Sequence, residues 1–519
     1  MRFRTIVIVL LTLVGVGYAV NRLVFTDETQ PYTDPDERFK YGSIGSEPGG
    51  SLLAPVGGLL PPYKVFKVLP AICPDLLPGG YGSVGLIYER EQDGSLKDLP
   101  IGISIRRRFG IRMLGVNCAL CHVGSVRDAP DSPPRILAGM PPQQPDVQRL
   151  FRFMLDCIRE PRFTADRVIQ TLNERKDKKL ATGFIERLAY RLFVIPKLKE
   201  KMRGVARDLG VLIGSAVPTS GPGRLDTVNP GKILEMKRQL EELPIAELQG
   251  SADFPHIWEL RKRERARFHW DGNLGSVEET ILSAALAVGA KPNTLDSLRF
   301  RQIERYVKDL RKPDYRSNLD AALVASGRSV FERLCVECHG EGGAKTGQVT
   351  PLETVGTDPS RFQSFTVEFA EKLPRALNRH YAGSRFQFRT FLKTNGYVNV
   401  PLDGIWARAP YLHNGSVPSL RDLLEPEKCR PPRFYRGSDV FDAENVGFVS
   451  YPDLPGADQN CPTRADRQAP GPPPVRGPDE PELFLFDTGI AGNHNTGHPW
   501  GTALPANLKR ALVEFLKTL

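Results

Sequence analysis

The sequence is poor in sulfur and imidazole side chains. Its 519 residues include only eight Cys, eight His and six Met. At these frequencies, chance placement predicts roughly 0.002 copies of the pattern Cys-x-x-Cys-His per chain. The chain carries two copies, so composition alone does not explain where its few cysteines and histidines stand.

A strong excess of one charge is also missing. The formal net charge is +10, which does not by itself indicate a nucleic-acid partner, and none is predicted. Hydrophobic residues make up 40% of the chain and charged residues 25%, as in a globular protein rather than a disordered one. Because 519 residues exceed a single compact core, we expect two lobes.

The N-terminus combines basic residues with a hydrophobic run. Arg2 and Arg4 precede an uncharged stretch from Thr5 to Val20. This stretch is short for a spanning helix and long for a signal-peptide core. We favour an uncleaved membrane anchor over a cleaved signal, with a buried helix as the third alternative. An anchor places the chain on the periplasmic side of the inner membrane, and a cleaved signal makes it periplasmic or secreted.

The two Cys-x-x-Cys-His motifs occupy residues 118–122 and 335–339. A zinc site does not require a His directly after the second Cys, and neither segment has the βαβ setting of a redox dithiol. Covalent haem attachment needs this spacing, because two thiols one helical turn apart reach the vinyl groups and the next side chain faces the iron. We therefore predict two covalently bound c-type haems with two proximal histidines. The residues involved are Cys118, Cys121, Cys335, Cys338, His122 and His339.

Helical periodicity surrounds the second motif. Residues 318–334 place Val330 and Phe331 near one face and lead into Cys335, and residues 504–519 repeat the same spacing. Two such helices crossing beside a haem motif are typical of a cytochrome c domain. We therefore predict a mainly α fold of two cytochrome c-type lobes with long irregular loops. The predicted segments are a hydrophobic helix at 1–25, an N-terminal lobe at 26–312 and a C-terminal lobe at 313–519.

Four further cysteines lie outside the motifs. Cys429 and Cys461 fall in residues 425–482, a stretch rich in Pro, Gly and charge that predicts an irregular loop. In an exported chain these two cysteines either form a disulfide or stay free thiols. Cys73 and Cys157 are another candidate pair, for which the sequence gives little basis.

A basic amphipathic segment occupies residues 183–210. Its pattern predicts a helix that is broken at Pro196. We favour a core helix with a solvated basic face. The alternative is a helix that rests on a membrane surface.

Several blocks together resemble the bacterial dihaem cytochrome c peroxidase superfamily. They are the two haem motifs about 200 residues apart, "HWDGNLGSVEE" at 269–279 and "APYLHNGSVPSLRDLL" at 409–424. The large first lobe and "GPGRLDTVNP" at 221–230 look more like the rubber-oxygenase-type dihaem proteins. The similarity spans 110–519 in scattered blocks, of which the haem motifs are the most specific. It implies that one haem reacts with peroxide or dioxygen.

The sequence departs from the peroxidase pattern in three places. In the peroxidases a Gln after Trp-Asp-Gly-…-Glu-Glu reaches the distal side of the first haem, and here Thr280 replaces it. The short Pro-x-Glu-Met segment that supplies a distal Glu is also missing. Both departures argue against peroxidase activity, because cleavage of peroxide needs an acid–base group above the iron. A turn that the family associates with calcium begins here with Arg408, so calcium is not predicted.

At the first haem we expect a sixth position that is open or weakly held. The candidate distal-pocket residues are His269 and Trp270, with neighbouring aromatic side chains. Met140 and His269 remain the alternatives as ligands.

At the second haem no Met follows the motif, because the last Met is Met236. We predict that His413 is the sixth ligand, since Pro410 and Asn414-Gly415 favour a tight turn around it. The rubber-oxygenase resemblance implies a His ligand at the same position. His413 making only a loop hydrogen bond is one alternative, and a different downstream histidine is another. Those histidines are His380, His494 and His498.

Three classes of function remain. The first is an electron-transfer protein, served by a redox partner protein or a membrane electron donor. The second is an enzyme, either a peroxidase or a dioxygen-using oxygenase that cleaves an unsaturated hydrocarbon as the resemblance implies. The third is a haem-based sensor or interaction protein. We rank electron transfer first, with oxidoreductase activity at the first haem as an addition.

Overall fold

The structure is a computed structural model, and helix dominates it. Helix accounts for 41% of the chain and strand for 12%, which confirms the predicted mainly α fold. The predicted N-terminal segment at 1–25 lies outside the described residues. In the part of the chain that the structure describes, no helix has the length and apolar character needed to cross a membrane. The described residues are 28–29, 31–43, 60–108, 111–213, 218–236, 243–264, 266–288, 290, 295–380, 382–453, 461 and 480–519.

The helices are distributed along the whole described chain. Before the second motif they are α1 (Pro35–Tyr41), α2 (Tyr63–Ile72), α3 (Gly80–Ser83), α4 (Ala119–His122), α5 (Val147–Arg159), α6 (Ala165–Glu174), α7 (Phe184–Ala189), α8 (Ile195–Ile213), α9 (Asn229–Met236), α10 (Val277–Ala287) and α11 (Ser297–Asp309). From there on they are α12 (Ala321–Leu334), α13 (Val336–His339), α14 (Leu352–Val355), α15 (Ser360–Ser364), α16 (Val367–His380), α17 (Leu420–Leu423) and α18 (Ala506–Leu516).

The strands are short and pair antiparallel. They are β1 (Glu28–Thr29), β2 (Ile103–Arg108), β3 (Ile111–Val116), β4 (Val123–Val126), β5 (Arg135–Ala138), β6 (Arg224–Asp226), β7 (Ser251–Asp253), β8 (Val349–Pro351), β9 (Gly396–Val398), β10 (Arg433–Arg436), β11 (Phe441–Asp442), β12 (Gly447–Phe448) and β13 (Phe484–Asp487). β1, β2 and β3 form one three-stranded sheet in that order. The remaining pairs are β4–β5, β6–β7, β8–β9, β10–β13 and β11–β12.

Helix α12 leads into the second motif and packs across the C-terminal helix α18, as the sequence predicted. It begins where the carboxylate of Asp320 accepts the N–H groups of Ala322 and Leu323 at 2.9 and 3.0 Å. The rings of Phe331 and Phe515 lie 5.3 Å apart between the two helices. One apolar core joins these helices to Met140 and Trp258 from before residue 313. The lobe boundary at 312/313 stays a prediction.

Both candidate disulfides are present. Cys73, at the end of α2, is bonded to Cys157 in α5. Cys429 is bonded to Cys461. The sequence alone did not decide between a disulfide and free thiols for either pair. The elements that bring the two partners together are far apart along the chain.

The predicted break at Pro196 is wrong. α7 continues through a π-helical turn, Tyr190–Val194, directly into α8, whose second residue is Pro196. A proline inside a helix loses one hydrogen bond and collides with the carbonyl four residues earlier. The π turn lies directly before the proline, and at its end the N–H of Ile195 donates to the carbonyl of Tyr190, five residues earlier.

The prediction of an irregular loop at 425–482 is partly wrong. The described part contains β10 as well as β11 and β12. β10 pairs with β13, and the rings of Phe434 and Phe486 pack 5.1 Å apart on this pair. Prolines directly precede β10 and none lies within it, so the proline-rich composition of the segment did not indicate a strand.

Candidate haem sites

The first motif follows directly on β3. Cys118 precedes the short helix α4, which carries Cys121 and ends at His122. Asn117 fixes the start of this turn, since its Oδ1 accepts the N–H of Ala119 at 3.0 Å. Its Nδ2 donates to the carbonyls of Lys40 and Gly42 at 3.2 and 3.0 Å. The motif is therefore tied to the end of α1.

The second motif begins where α12 ends. Cys335 stands between α12 and the single turn of α13, which carries Cys338 and His339. The N–H groups of Cys338 and His339 both donate to the carbonyl of Cys335, at 3.2 and 2.9 Å. The two cysteines and the histidine thus lie on one tight helical turn, as in the first motif.

Both motif histidines are oriented in the same way. Nδ1 of His122 donates to the carbonyl of Pro255 at 3.0 Å, and Nδ1 of His339 donates to the carbonyl of Val400 at 2.8 Å. Metal-binding histidines almost always donate their second ring N–H to such a partner. Burial lowers the pKa of His122 to about 4 and also lowers the pKa of His339, so each ring is neutral at neutral pH. The histidines therefore fit a haem iron through Nε2.

The four motif thiols fit covalent attachment better than redox exchange. None of them is in a disulfide. Burial raises the pKa of Cys118 and of Cys335 to about 11, and it also raises the pKa of Cys121 and of Cys338. A redox dithiol needs a thiol with a lowered pKa, because the thiolate is the reactive form. The dithiol alternative therefore loses support.

The imidazole that faces His339 is that of His498. Their ring centroids are 6.3 Å apart. Because an imidazole–metal bond is about 2 Å long and each ring nitrogen lies about 1 Å from its ring centre, two imidazoles on one metal have centres about 6 Å apart. Burial lowers the pKa of His498 to about 3, so this ring is also neutral. Arg430 holds the His498 loop by donating to the carbonyls of Gly497 and His498 at 2.9 and 3.4 Å.

His413 has other contacts. Its Nε2 lies 3.2 Å from the hydroxyl of Tyr397, and the two rings stack with centroids 4.2 Å apart. Its carbonyl accepts the N–H of Asp253 at 2.9 Å. The turn that the sequence predicted is present, since Gly415 has a φ of +61°. The structure therefore brings His339 together with His498 and places His413 against Tyr397. His494, another alternative, directs Nδ1 to the carbonyl of Thr488 at 2.9 Å.

His269 lies close enough to His122 for a charge on one ring to lower the pKa of the other. Its Nδ1 is 2.8 Å from Oδ1 of Asn273, which leaves Nε2 outside that bond. Trp270 donates its indole N–H to the carbonyl of Asp253 at 2.6 Å. The structure thus brings His269 close to the first motif, and it places Trp270 against Asp253. Met140 is fully buried with Trp258 in the core that α12 and α18 share.

Asp271 is a site residue that sequence reasoning missed. It is only 1% exposed, and neither carboxylate oxygen has a hydrogen-bond partner among the described residues. The nearest cationic group is Nη2 of Arg361, at 3.7 Å. A buried carboxylate that accepts no hydrogen bond is costly even beside a cation, so it points to a functional role or to a group bound beside it. The sequence offered one signal, since Asp271 directly follows His269 and Trp270.

Two arginines, the buried Arg263 and the half-buried Arg408, act on histidines at or near the motifs. The charge of Arg408 lowers the pKa of both His256 and His339, and His256 follows the Pro255 that binds His122. Burial lowers the pKa of Arg408 and of Arg263 to about 10, so both remain charged at neutral pH. Two such cations fit the carboxylates that haem carries along one edge. The absence of calcium beside Arg408 stays a prediction.

Comparison with known proteins supports a c-type cytochrome domain. A family model described as RoxA-like, cytochrome c-like matches residues 396–435, which contain β9, Arg408 and His413. This domain implies c-type haem. Two similar proteins come from Sinorhizobium fredii (strain NBRC 101917 / NGR234). The uncharacterized protein y4iM is 27% identical over 300 residues, and the uncharacterized protein y4iJ is 26% identical over 404 residues. The matches cover 51% and 60% of this chain, and this chain spans 64% and 62% of the two relatives.

Proposed function

We propose that the protein is an exported c-type cytochrome that binds two haems covalently and transfers electrons. One observation carries this proposal: both motif histidines donate Nδ1–H to a main-chain carbonyl, which leaves Nε2 for a metal. A bound haem supplies one-electron redox chemistry. The protein side chains orient it, neutralise its carboxylates and control access to its iron.

For the second site we propose His498 as the sixth ligand in place of His413. The support is the 6.3 Å distance between the rings of His339 and His498. Two neutral imidazoles make a closed, six-coordinate site, which suits electron transfer rather than substrate binding. Such a site has a lower potential than a His/Met site, because a thioether favours ferrous iron.

The first site favours a second function, an oxidoreductase that acts on peroxide or dioxygen. The specific observation is Asp271, a buried carboxylate without a hydrogen-bond partner among the described residues, two positions from His269. Such a group supplies the acid–base function that the missing Gln and Glu of the peroxidase pattern would provide. Trp270 and His269 line the same region. The resemblance of the sequence to rubber-oxygenase-type dihaem proteins adds an oxygenase as one form of this second function.

The location and partners follow from the sequence pattern. We propose that residues 1–25 direct export and anchor the chain on the periplasmic side, because basic residues precede the hydrophobic run. A redox partner protein or a membrane electron donor then supplies electrons to the second site.

Spectroscopy of protein made in a host that matures c-type cytochromes tests this proposal. We expect one low-spin haem that ignores carbon monoxide and one haem that binds it. Addition of peroxide or dioxygen should change only the spectrum of the haem that binds carbon monoxide. Two low-spin haems whose spectra respond to none of these molecules would support electron transfer and rule out the oxidoreductase function. A chain without bound haem would overturn both.

A further inference from the structure

The helix α7 and the π turn after it expose an apolar surface to solvent. Five side chains recur at helical spacing along this surface, which we call the apolar patch. Phe184 and Ile185 are each 82% exposed, Leu188 is 46%, Leu192 is 57% and Phe193 is 59% exposed. Single exposed apolar residues are common, but five adjacent ones on a helix mark an interaction surface.

The segment that carries the apolar patch is rich in basic residues. Residues 175–203 contain ten Lys or Arg and three Asp or Glu, a net charge of +7 in a chain whose total is +10. Two of the three acidic groups are already paired, Glu186 with Lys64 and Glu200 with Lys197, each at 2.7 Å. A large share of the net positive charge of the protein therefore lies in the segment that carries its exposed apolar helix.

The strand β1 is linked through β2 and β3 to the loop that precedes α7. β1 pairs Glu28 with Arg107 of β2, which in turn pairs with Arg112 of β3. Arg112 donates to the carbonyl of Lys179 at 2.9 Å, in the loop just before α7. Neighbouring strands are about 4.8 Å apart, so Glu28 lies about 10 Å from Arg112. Glu28, in β1, therefore lies near the loop that precedes α7.

We propose that the apolar patch and its basic surroundings bind the surface of an anionic lipid bilayer. A helix with apolar side chains on one face and Lys and Arg around it lies in the membrane interface, where it buries the apolar face at the acyl boundary. Anionic headgroups attract the surrounding charge, whereas a second copy of this chain would bring another +7 against it. The contact sets the orientation of the protein on the membrane, and it does not depend on the proposed redox function.

Site-directed spin labelling of the full chain in vesicles tests the proposal. Labels are placed at Ile185→Cys in the apolar patch and at Leu298→Cys in α11, where the native leucine is 58% exposed. In vesicles of phosphatidylethanolamine and phosphatidylglycerol, we expect the label at 185 to be accessible to oxygen and shielded from a water-soluble nickel chelate. The label at 298 should remain accessible to the chelate. In phosphatidylcholine vesicles both labels should be accessible to it.

A charge variant provides the matched test of the electrostatic part. Lys176→Glu with Lys178→Glu should weaken binding to anionic vesicles at least tenfold, as measured by the shielding of the label at position 185. Each basic residue near an anionic surface contributes about 1 kcal/mol to the free energy of membrane binding. Equal exposure of both labels in anionic vesicles would overturn the proposal. Shielding at 185 without vesicles would overturn it too, because another segment or a second copy would then cover the patch.

Discussion

His498 places its imidazole 6.3 Å from that of His339, and this residue-scale distance determines the expected spin state of the second haem. Replacing His498 by Ala would remove one of the two proposed imidazole ligands. We expect a low-spin signal to become high-spin in the electron paramagnetic resonance spectrum. The potential of this haem should rise by on the order of 0.1 V, a fraction of the range of about 0.8 V that axial ligands cover.

His413→Ala is the matched control. It removes an equally buried imidazole whose Nε2 contacts Tyr397, so we expect the low-spin signal to persist. The opposite pattern, with spin state lost in His413→Ala and kept in His498→Ala, would restore the ligand that the sequence predicted.

Arg408 allows a second residue-scale prediction, because its charge acts on both His256 and His339. Arg408→Gln removes a half-buried positive charge that disfavours the ferric state. We expect both midpoint potentials to fall by tens of millivolts, equivalent to roughly 1–2 kcal/mol for charges about 10 Å apart. Spectroelectrochemical titration measures the shift. Exposed Arg311→Gln should leave both potentials nearly unchanged, and equal shifts in the two variants would contradict this role for Arg408.

At the scale of elements, the crossing of α12 and α18 holds the second motif in place. Gly327 makes this crossing possible, since a Cβ at that position would overlap the carbonyl oxygen of Ala511. We expect Gly327→Ala to lower the free energy of unfolding by about 1–3 kcal/mol, as overpacking does. Gly204→Ala in α8 meets no atom within 4 Å and should raise it by about 0.5–1 kcal/mol. Denaturant unfolding that shows the same sign for both variants would contradict this packing argument.

The elements also show which predictions a sequence supports. Helix α12 was predictable because its apolar residues recur at helical spacing and Asp320 caps its start. The continuation through Pro196 was not, because the π turn before it is a local geometry that no residue pattern marks. β10 was hidden for a related reason, since its pairing partner β13 lies about fifty residues later in the chain.

At the scale of the whole molecule, the local geometry of the two motifs was predictable and the position of His498 was not. Cys118 to His122 and Cys335 to His339 are local turns, so sequence spacing reports their geometry directly. His498 reaches His339 only because Arg430 and the backbone of Val355 fix a distant loop. Asp271 was missed because burial without a partner is a tertiary property.

The two disulfides give a whole-molecule prediction about stability. Cys73 and Cys157 are 84 residues apart, and Cys429 and Cys461 are 32 apart. Each bridge restricts the unfolded chain, and the longer loop should stabilise by about 0.9 kcal/mol more. We expect Cys73→Ala with Cys157→Ala to lower the free energy of unfolding by about 2–5 kcal/mol, and Cys429→Ala with Cys461→Ala to lower it less. A reversed order in urea unfolding would contradict the loop-length argument.

The intact mass of the purified mature protein tests the central claim most directly. Two covalent haems predict a mass equal to that of the chain plus two haem groups. Cys118→Ala with Cys121→Ala should remove one haem from this mass, and Cys335→Ala with Cys338→Ala should remove the other. A wild-type mass with one haem or none, or a variant mass that still includes two, would contradict the proposed dihaem cytochrome.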